Sequence, residues 1–389
     1  MRDLSSQRAQ GSMFARPGGG LSAADVGGPG KRTLVEDLGG PMSALSPASG
    51  AVQRQGDDHG GDPTYGDTAY DGNVTGVLQQ LVGAYRNLQI DVPANTTTAG
   101  PALALVAPVS TPYYNDKYVN FKSDKAADNV NNPAPSADFQ LDARAAAQAK
   151  LAKVATEAEK AGATGLVAVT NPQGAAWRGK GGPDELQSIV NLAVRNAAVA
   201  PAEGDVNDAT VWKTAIEKWM RTVGLGVDCN GLVYEALMHL RDDSSVKAVG
   251  ATADYSGSPV NNILNAVRTD QKQDHRTGAS IDLMQQLGIP ITNPSDLRAG
   301  DVMVLGLEHV RIVEQVAGYD EAKQTATFTT AEATVDKRPA TIDGVIEQRW
   351  QWKLGQNVQK LDGDGNPIGA GEVPVFRRHV VEPPKSAKP

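Results

Sequence analysis

Residues 227–237 read Val-Asp-Cys-Asn-Gly-Leu-Val-Tyr-Glu-Ala-Leu and contain Cys229, the single cysteine of the 389-residue chain. Apolar residues follow at positions 232, 233, 236, 237 and 240, which is the spacing of one helix face. Asp228 is a residue type that caps helices, so the pattern predicts a helix that begins at Cys229. Because the free amides and dipole of a first turn favour a thiolate, we interpret Cys229 as a nucleophile.

Gly231 lies in the first turn of this predicted helix, where glycine costs about 1 kcal/mol relative to alanine. Room for a substrate beside the thiol would explain it, and we assign Asp228, Asn230 and Gly231 to substrate binding. The alternative is that Cys229 is an inert buried thiol, as many single cysteines are. A base close to the sulfur would decide between the two interpretations.

Length and composition limit the classes of function. A chain of 389 residues with 40% hydrophobic content can hold two or more domains and a sizeable core. The net charge of -8 and the pI near 5.2 argue against a protein that coats nucleic-acid phosphates. One cysteine forms no intrachain disulfide, and no stretch approaches the roughly 18 apolar residues of a membrane span. We therefore expect neither a nucleic-acid partner nor a membrane span.

Residues 1–76 are predicted to be a disordered leader. They hold 16 of the 41 glycines together with many prolines and serines, and cannot bury enough surface to offset their chain entropy. Within them, residues 31–34 (Lys-Arg-Thr-Leu) resemble a motif near the start of proteins associated with bacterial extracellular contractile injection systems and related toxins. The resemblance implies synthesis in the bacterial cytoplasm and loading into a contractile particle, and residues 1–30 contain no secretory signal. The alternative is a charged patch in a flexible tail.

Residues 77–205 are predicted to be a mainly helical accessory domain. Apolar periodicity predicts helices at 74–88, 137–161 and from 183 onwards, and strands at 102–109 and 166–169. The loop at 178–182 contains three glycines and two cations, which are able to hold an anion. It lacks the spacing and the preceding strand of a phosphate-binding loop, so we favour an ordinary loop. We find no catalytic pattern in this region.

Residues 206–383 are predicted to form an α+β domain. A helix ends at Gly224, the Cys229 helix follows it, and a run of strands comes later. The strands are expected at 301–305, 309–316, 325–335, 345–354 and 373–380. Short connections make such strands antiparallel, with the preceding helices packed on the sheet. Residues 362–367 resemble the opening of a calcium loop without its ligand pattern, so we interpret them as a hairpin tip and expect no metal.

A nucleophilic cysteine needs an imidazole to take its proton and a third group to fix that imidazole. His239 lies ten residues along the Cys229 helix, roughly 15 Å away, and cannot reach the sulfur. His309, at the start of a predicted strand, is the best candidate. The remaining histidines lie in polar or terminal segments: His59, His275 and His379.

Three stretches, in this order, resemble the NlpC and CHAP groups of papain-like cysteine peptidases and amidases: 228–233 (Asp-Cys-Asn-Gly-Leu-Val), 297–302 (Leu-Arg-Ala-Gly-Asp-Val) and 309–313 (His-Val-Arg-Ile-Val). In those groups a cysteine opens a helix, a turn ending in Gly-Asp starts a strand, and a histidine opens the next strand. The resemblance implies a papain-like fold with Cys229 as nucleophile and His309 as general base and acid.

The same resemblance places the third member of the triad on the strand after the histidine, where Glu332 lies. The alternative for Glu332 is a solvent-facing carboxylate. Asn230 stands where the family commonly has serine, and the backbone N–H of Cys229 is a candidate oxyanion donor. The long separation of Cys229 from His309 implies an insertion at about 241–295 that shapes the substrate cleft.

The function that this resemblance implies is cleavage of an amide bond without a cofactor. Peptidoglycan stem peptides are the expected substrate. An enzymatic alternative is a toxin that acts on a host protein by proteolysis, deamidation or acyl transfer, since one triad serves all of these reactions. A non-enzymatic alternative is a degenerate module that binds cell wall or docks in a particle.

Overall fold

The computed structural model describes residues 68–93, 105–114, 139–243, 281–286, 288–306, 308–335 and 343–379. The motif at 31–34, most of the expected leader and most of the expected insertion at 241–295 lie outside these ranges. The first described helix begins at Thr68, so residues 68–76, which we assigned to the leader, are helical. The leader predicted from composition therefore overlaps the first helix.

In the predicted domain at 206–383, helices precede the strands of the main sheet, as the sequence pattern predicts. The helices are α1 (Thr68–Arg86), α2 (Leu141–Lys160), α3 (Leu166–Thr170), α4 (Pro183–Arg195), α5 (Ala209–Val223), α6 (Cys229–Asp242) and α7 (Ile281–Gln286). The strands are β1 (Leu88–Val92), β2 (Leu105–Val109), β3 (Ile289–Ile291), β4 (Val302–Leu305), β5 (His309–Asp320), β6 (Thr325–Val335), β7 (Asp343–Lys353), β8 (Val358–Leu361), β9 (Pro367–Glu372) and β10 (Val375–Arg378).

The main sheet has eight antiparallel strands in the order β3-β10-β4-β5-β6-β7-β8-β9, and β1 pairs separately with β2. Strands β4 to β9 follow one another in both sequence and space, because strands that are close in sequence readily pair as antiparallel neighbours. The prediction of an α+β fold with an antiparallel sheet is confirmed. Residues 362–366 form the turn between β8 and β9, with the Asp362 carboxylate accepting from the backbone of Asn366, so the predicted hairpin tip is also confirmed.

The sheet is curled. Three strands separate β5 from β9 in the sheet order, yet Glu372 of β9 forms an ion pair with Arg311 of β5. The face inside the curl buries its own apolar cluster: Ile291, Leu297, Met303, Val313, Ala326, Phe328, Trp350, Val358 and Phe376. Side chains alternate along each strand, so residues such as Ala331 and Ala333 lie on the other face and pack against the helices.

Helix α6 is the central helix of the larger core. Its apolar residues were expected on one face, but nearly the whole helix from Cys229 to Met238 is buried, which is typical of a helix enclosed on all sides. It packs against α1, β5 and β6. Residues on both sides of the expected boundary at 205–206 share this core, and all described residues fall in one unit of packing. No described helix is long and apolar enough to cross a bilayer.

The segment predicted as a strand at 166–169 is instead the short helix α3. A run of four apolar residues fits either structure, because so short a segment carries no period that separates helix from strand. Gly165 adopts φ of 76°, a left-handed conformation that turns the chain into α3 against α2. The prediction of a strand at this position was wrong.

Candidate active site

Cys229 is the first residue of α6, as the sequence pattern predicts. The Asp228 side chain caps the helix by accepting a 2.6 Å hydrogen bond from the backbone N–H of Gly231. The Asp228 carbonyl accepts from the N–H of Leu232 at 3.0 Å. Within the described chain, the N–H groups of Cys229 and Asn230 have no hydrogen-bond acceptor. These two first-turn amides are therefore available to a ligand beside the sulfur.

A loop from the predicted accessory region lies over this helix start. Lys180 Nζ contacts the two carboxylate oxygens of Asp228 at 2.7 and 2.5 Å, and both side chains are buried. The Asp228 N–H donates to the carbonyl of Gly179 at 2.9 Å. We expected no chemistry from this loop, and no local sequence signal connects it with Cys229. Lys180 is thus a residue of the site that sequence reasoning missed.

Gly231 is explained by this loop, whereas we expected room for a substrate. A Cβ atom at Gly231 would lie 2.0 Å from the Gly179 carbonyl oxygen and 3.0 Å from Lys180 Cα. The Asp228 carboxylate is buried and bonded within the protein, to Gly231 and Lys180. Among the three expected substrate-binding residues, Asn230 alone is partly exposed, and its Oδ1 is buried without a described hydrogen-bond partner. Contact of these residues with a substrate stays a prediction.

The structure brings His309 and Glu332 together as expected. His309 is the first residue of β5, and its Nε2 lies 2.6 Å from Oε2 of Glu332 on the neighbouring strand β6. The Cys229 side chain also lies close enough to His309 to raise the pKa of the imidazole, by hydrogen bonding and by charge. Because Glu332 occupies Nε2, the nitrogen left for the sulfur is Nδ1. Cys229 at the start of helix α6 thus lies beside His309 at the start of strand β5.

The contacts of His309 and Glu332 set their protonation. Burial lowers the pKa of His309, but hydrogen bonds with Cys229 and Glu332 outweigh burial and raise that pKa to about 9. Burial raises the pKa of Glu332, but the hydrogen bond from His309 and the charge of Arg311 lower it to about 2. At neutral pH the pair is therefore an imidazolium held by a carboxylate. Glu332 is 4% exposed, so the alternative of a solvent-facing carboxylate was wrong.

A buried arginine completes the cluster. Arg311 Nε donates to Oε2 of Glu332 at 2.8 Å, the same oxygen that contacts His309. Its Nη1 and Nη2 donate to the carboxylate of Glu372 at 2.7 and 3.3 Å. Sequence reasoning missed Arg311 and Glu372. The spacing of Arg311 two residues after His309 was the available signal, since both then lie on one face of β5.

No family model, curated protein or solved structure matches this chain. No group of three or more described His, Cys, Asp or Glu side chains is arranged to hold a metal ion. A cavity of about 640 Å³ lies between α2, α4 and β1, away from Cys229, and none of the site residues lines it. The chemistry near Cys229 marks the candidate site: a thiol, an imidazole and a carboxylate lie together, beside two first-turn amides that have no acceptor among the described residues.

Proposed function

We propose that the chain is a thiol hydrolase that cleaves an amide bond with Cys229, His309 and Glu332. The observation that carries this proposal is the continuous series of contacts from the Cys229 thiol to His309 and from His309 Nε2 to Glu332 at 2.6 Å. A nucleophile, a base and a group that orients the base are the parts that covalent acyl transfer needs. A structural thiol has no need of them.

In the proposed reaction, the proton of Cys229 already resides on His309 Nδ1, so His309 is an imidazolium, and the Cys229 thiolate attacks the amide carbonyl. The backbone N–H groups of Cys229 and Asn230 stabilise the oxyanion. The C–N bond then breaks, and the His309 proton passes to the leaving amine, which leaves a thioester on Cys229. A water molecule gives a proton to His309 and its oxygen to the carbonyl, and this releases the acid and restores the Cys229 thiolate beside the His309 imidazolium.

The arrangement supports the finer proposal of a papain-like fold of the NlpC or CHAP type. In this chain Cys229 starts the buried helix α6, residues 297–301 lead into strand β4, and His309 starts the neighbouring strand β5. Those features match the order of the three stretches that carry the resemblance. The fold proposal rests on this match of elements together with the sequence motifs.

We propose peptidoglycan stem peptides as the substrate. Cys229 is 5% exposed, and a thiol this deep reaches a scissile bond in a slim, extended chain more readily than one on a rigid folded surface. A stem peptide is such a chain. Delivery by a contractile particle through residues 31–34 is part of the same proposal and rests on the sequence motif alone.

The test is expression of the full chain in a bacterium, once without and once with an added periplasmic signal. The wild type is expected to lyse cells only from the periplasm, and wall digests should show new peptide termini by mass spectrometry. Cys229→Ala and His309→Gln should reduce release from purified peptidoglycan by at least about 10³-fold. His239→Gln is the matched control, because His239 is exposed on the Cys229 helix and should leave the rate unchanged.

Three results would separate the alternatives. If the chain expressed in the cytoplasm inhibits growth, requires Cys229 for this and leaves the cell wall intact, the result would favour a toxin that acts on a host protein. Equal behaviour of Cys229→Ala and the wild type in both compartments, with no release from peptidoglycan, would reject the hydrolase. Binding to peptidoglycan without release would then favour a wall-binding module.

A further inference from the structure

Arg311 lies between the proposed triad and a second carboxylate. Its guanidinium shares Oε2 of Glu332 with His309 on one side and binds both oxygens of Glu372 on the other. The side chain is 7% exposed. Arg311 is thus paired with two carboxylates, and one of them belongs to the proposed triad.

The position of this guanidinium is fixed on every side. It lies over the Trp350 ring at 4.7 Å from the centroid, and Trp350 Nε1 donates to Thr330 Oγ1 at 2.9 Å. Thr330 and Glu332 lie on the same face of β6. The planar fork of arginine matches two carboxylates at once, which the point charge of lysine does not. Arg311 therefore holds Glu332 in one orientation toward His309.

From this geometry, and resting on the proposed function, we propose that Arg311 is a positioning residue that fixes Glu332 and weakens its hold on the His309 proton, with Glu372 setting how strongly it does so. The titratable and charged groups that act on His309 are Cys229 from α6, Arg311 from its own strand and Glu332 from β6. Glu372 of β9 acts on this set through Arg311. Moderation matters because an imidazolium that holds its proton too tightly is a poor acid for the leaving amine.

The two flanking substitutions are expected to act in opposite directions. Arg311→Met removes the positive charge that opposes His309 protonation, so the midpoint of the His309 titration should rise. Glu372→Gln removes the carboxylate that offsets Arg311, so the midpoint should fall. Each shift is expected to be on the order of 0.5–1 pH unit, less than for a charge in direct contact, because Glu332 lies between.

The experiment is an NMR titration of the histidine side chains in the full chain, with His309→Gln identifying the His309 signal. The pH dependence of Cys229 alkylation by iodoacetamide is a second measurement, because it reports when the sulfur that contacts His309 becomes reactive. Arg311→Lys keeps the charge without the fork and should lie between the wild type and Arg311→Met. Arg349→Met is the matched control, since Arg349 is an exposed arginine on β7 and should leave the midpoint unchanged.

Opposite shifts in Arg311→Met and Glu372→Gln would support the proposal. Shifts in the same direction, or none in either variant, would overturn it. If Arg311→Met does not fold, Glu372→Gln carries the test alone through its lowered midpoint. Neither measurement needs a substrate, so the two proposals can fail separately. Opposite shifts without any hydrolysis would support the role of Arg311 and reject the hydrolase. Hydrolysis without shifts would support the hydrolase and reject the role of Arg311.

Discussion

Replacing Gly231 by alanine should destabilise the chain and disturb Cys229, although glycine to alanine within a helix ordinarily stabilises. The ordinary gain is about 1 kcal/mol from helix propensity. At Gly231 the new methyl group would lie 2.0 Å from the Gly179 carbonyl oxygen, where ordinary contacts begin at 3.4 Å. The obstacle is backbone, so the loop and the helix start must separate by about 1.4 Å.

That separation has a calculable cost. It breaks the 2.9 Å hydrogen bond from the Asp228 N–H to Gly179, and a buried amide left without a partner costs about 1–3 kcal/mol. Overpacking of a fixed core adds about 1–3 kcal/mol. After subtraction of the propensity gain, Gly231→Ala should lower the free energy of unfolding by about 1–5 kcal/mol. Alkylation of Cys229 should slow as well, because the sulfur shifts relative to His309.

Denaturant unfolding of the full chain measures the first effect, with Gly83→Ala as the matched control. Gly83 is exposed within α1 and a Cβ there would meet nothing within 4 Å, so its substitution should stabilise by about 0.5–1 kcal/mol. The two variants make the same chemical change inside a helix and should move the midpoint in opposite directions. A Gly231→Ala chain as stable as the wild type would refute the close approach of the loop.

Two further predictions concern buried charges. Lys180→Met removes one member of the buried pair with Asp228 and should lower the free energy of unfolding by about 3–5 kcal/mol, measured with denaturant. The control Lys160→Met, in the exposed pair with Glu157, should lower it by less than about 1 kcal/mol. Equal losses of stability would contradict a buried Lys180–Asp228 pair. Burial and the nearby Glu347 raise the pKa of Glu314 from 4.5 to about 7, so the contribution of Glu314 to wild-type stability should fall as pH rises from 4.5 through 7. Glu314→Gln should abolish that fall, so the stability of the variant relative to the wild type should be about 2 kcal/mol greater at pH 8 than at pH 5. Parallel pH profiles of the two proteins would contradict the raised pKa of Glu314.

Local chemistry made the start of α6 predictable. A capping side chain bonds an amide three residues away, and a buried helix repeats its apolar residues within two turns. Residues 228–240 are therefore sufficient to predict the helix and its first residue. The same holds for β5 and β6. They are consecutive antiparallel strands joined by a short turn, and the pairing of Ile312 with Ala331 brings Glu332 to the stretch of β5 that holds Arg311 and His309. The pairing of His309 with Glu332 follows from that order.

Tertiary structure decided the surroundings of these residues. Lys180 meets Asp228 across a sequence separation of 48, and Arg311 meets Glu372 across 61, through packing that no local period encodes. The four apolar residues at 166–169 became a helix because their contacts with α2 outweighed a pattern too short to carry a period. Amino-acid sequence alone determined which groups were chemically able to react and on which elements they lie. The curl of the sheet and the loop over α6 determined which charged side chains lie next to these groups. Burial and distance then set how strongly the charges interact.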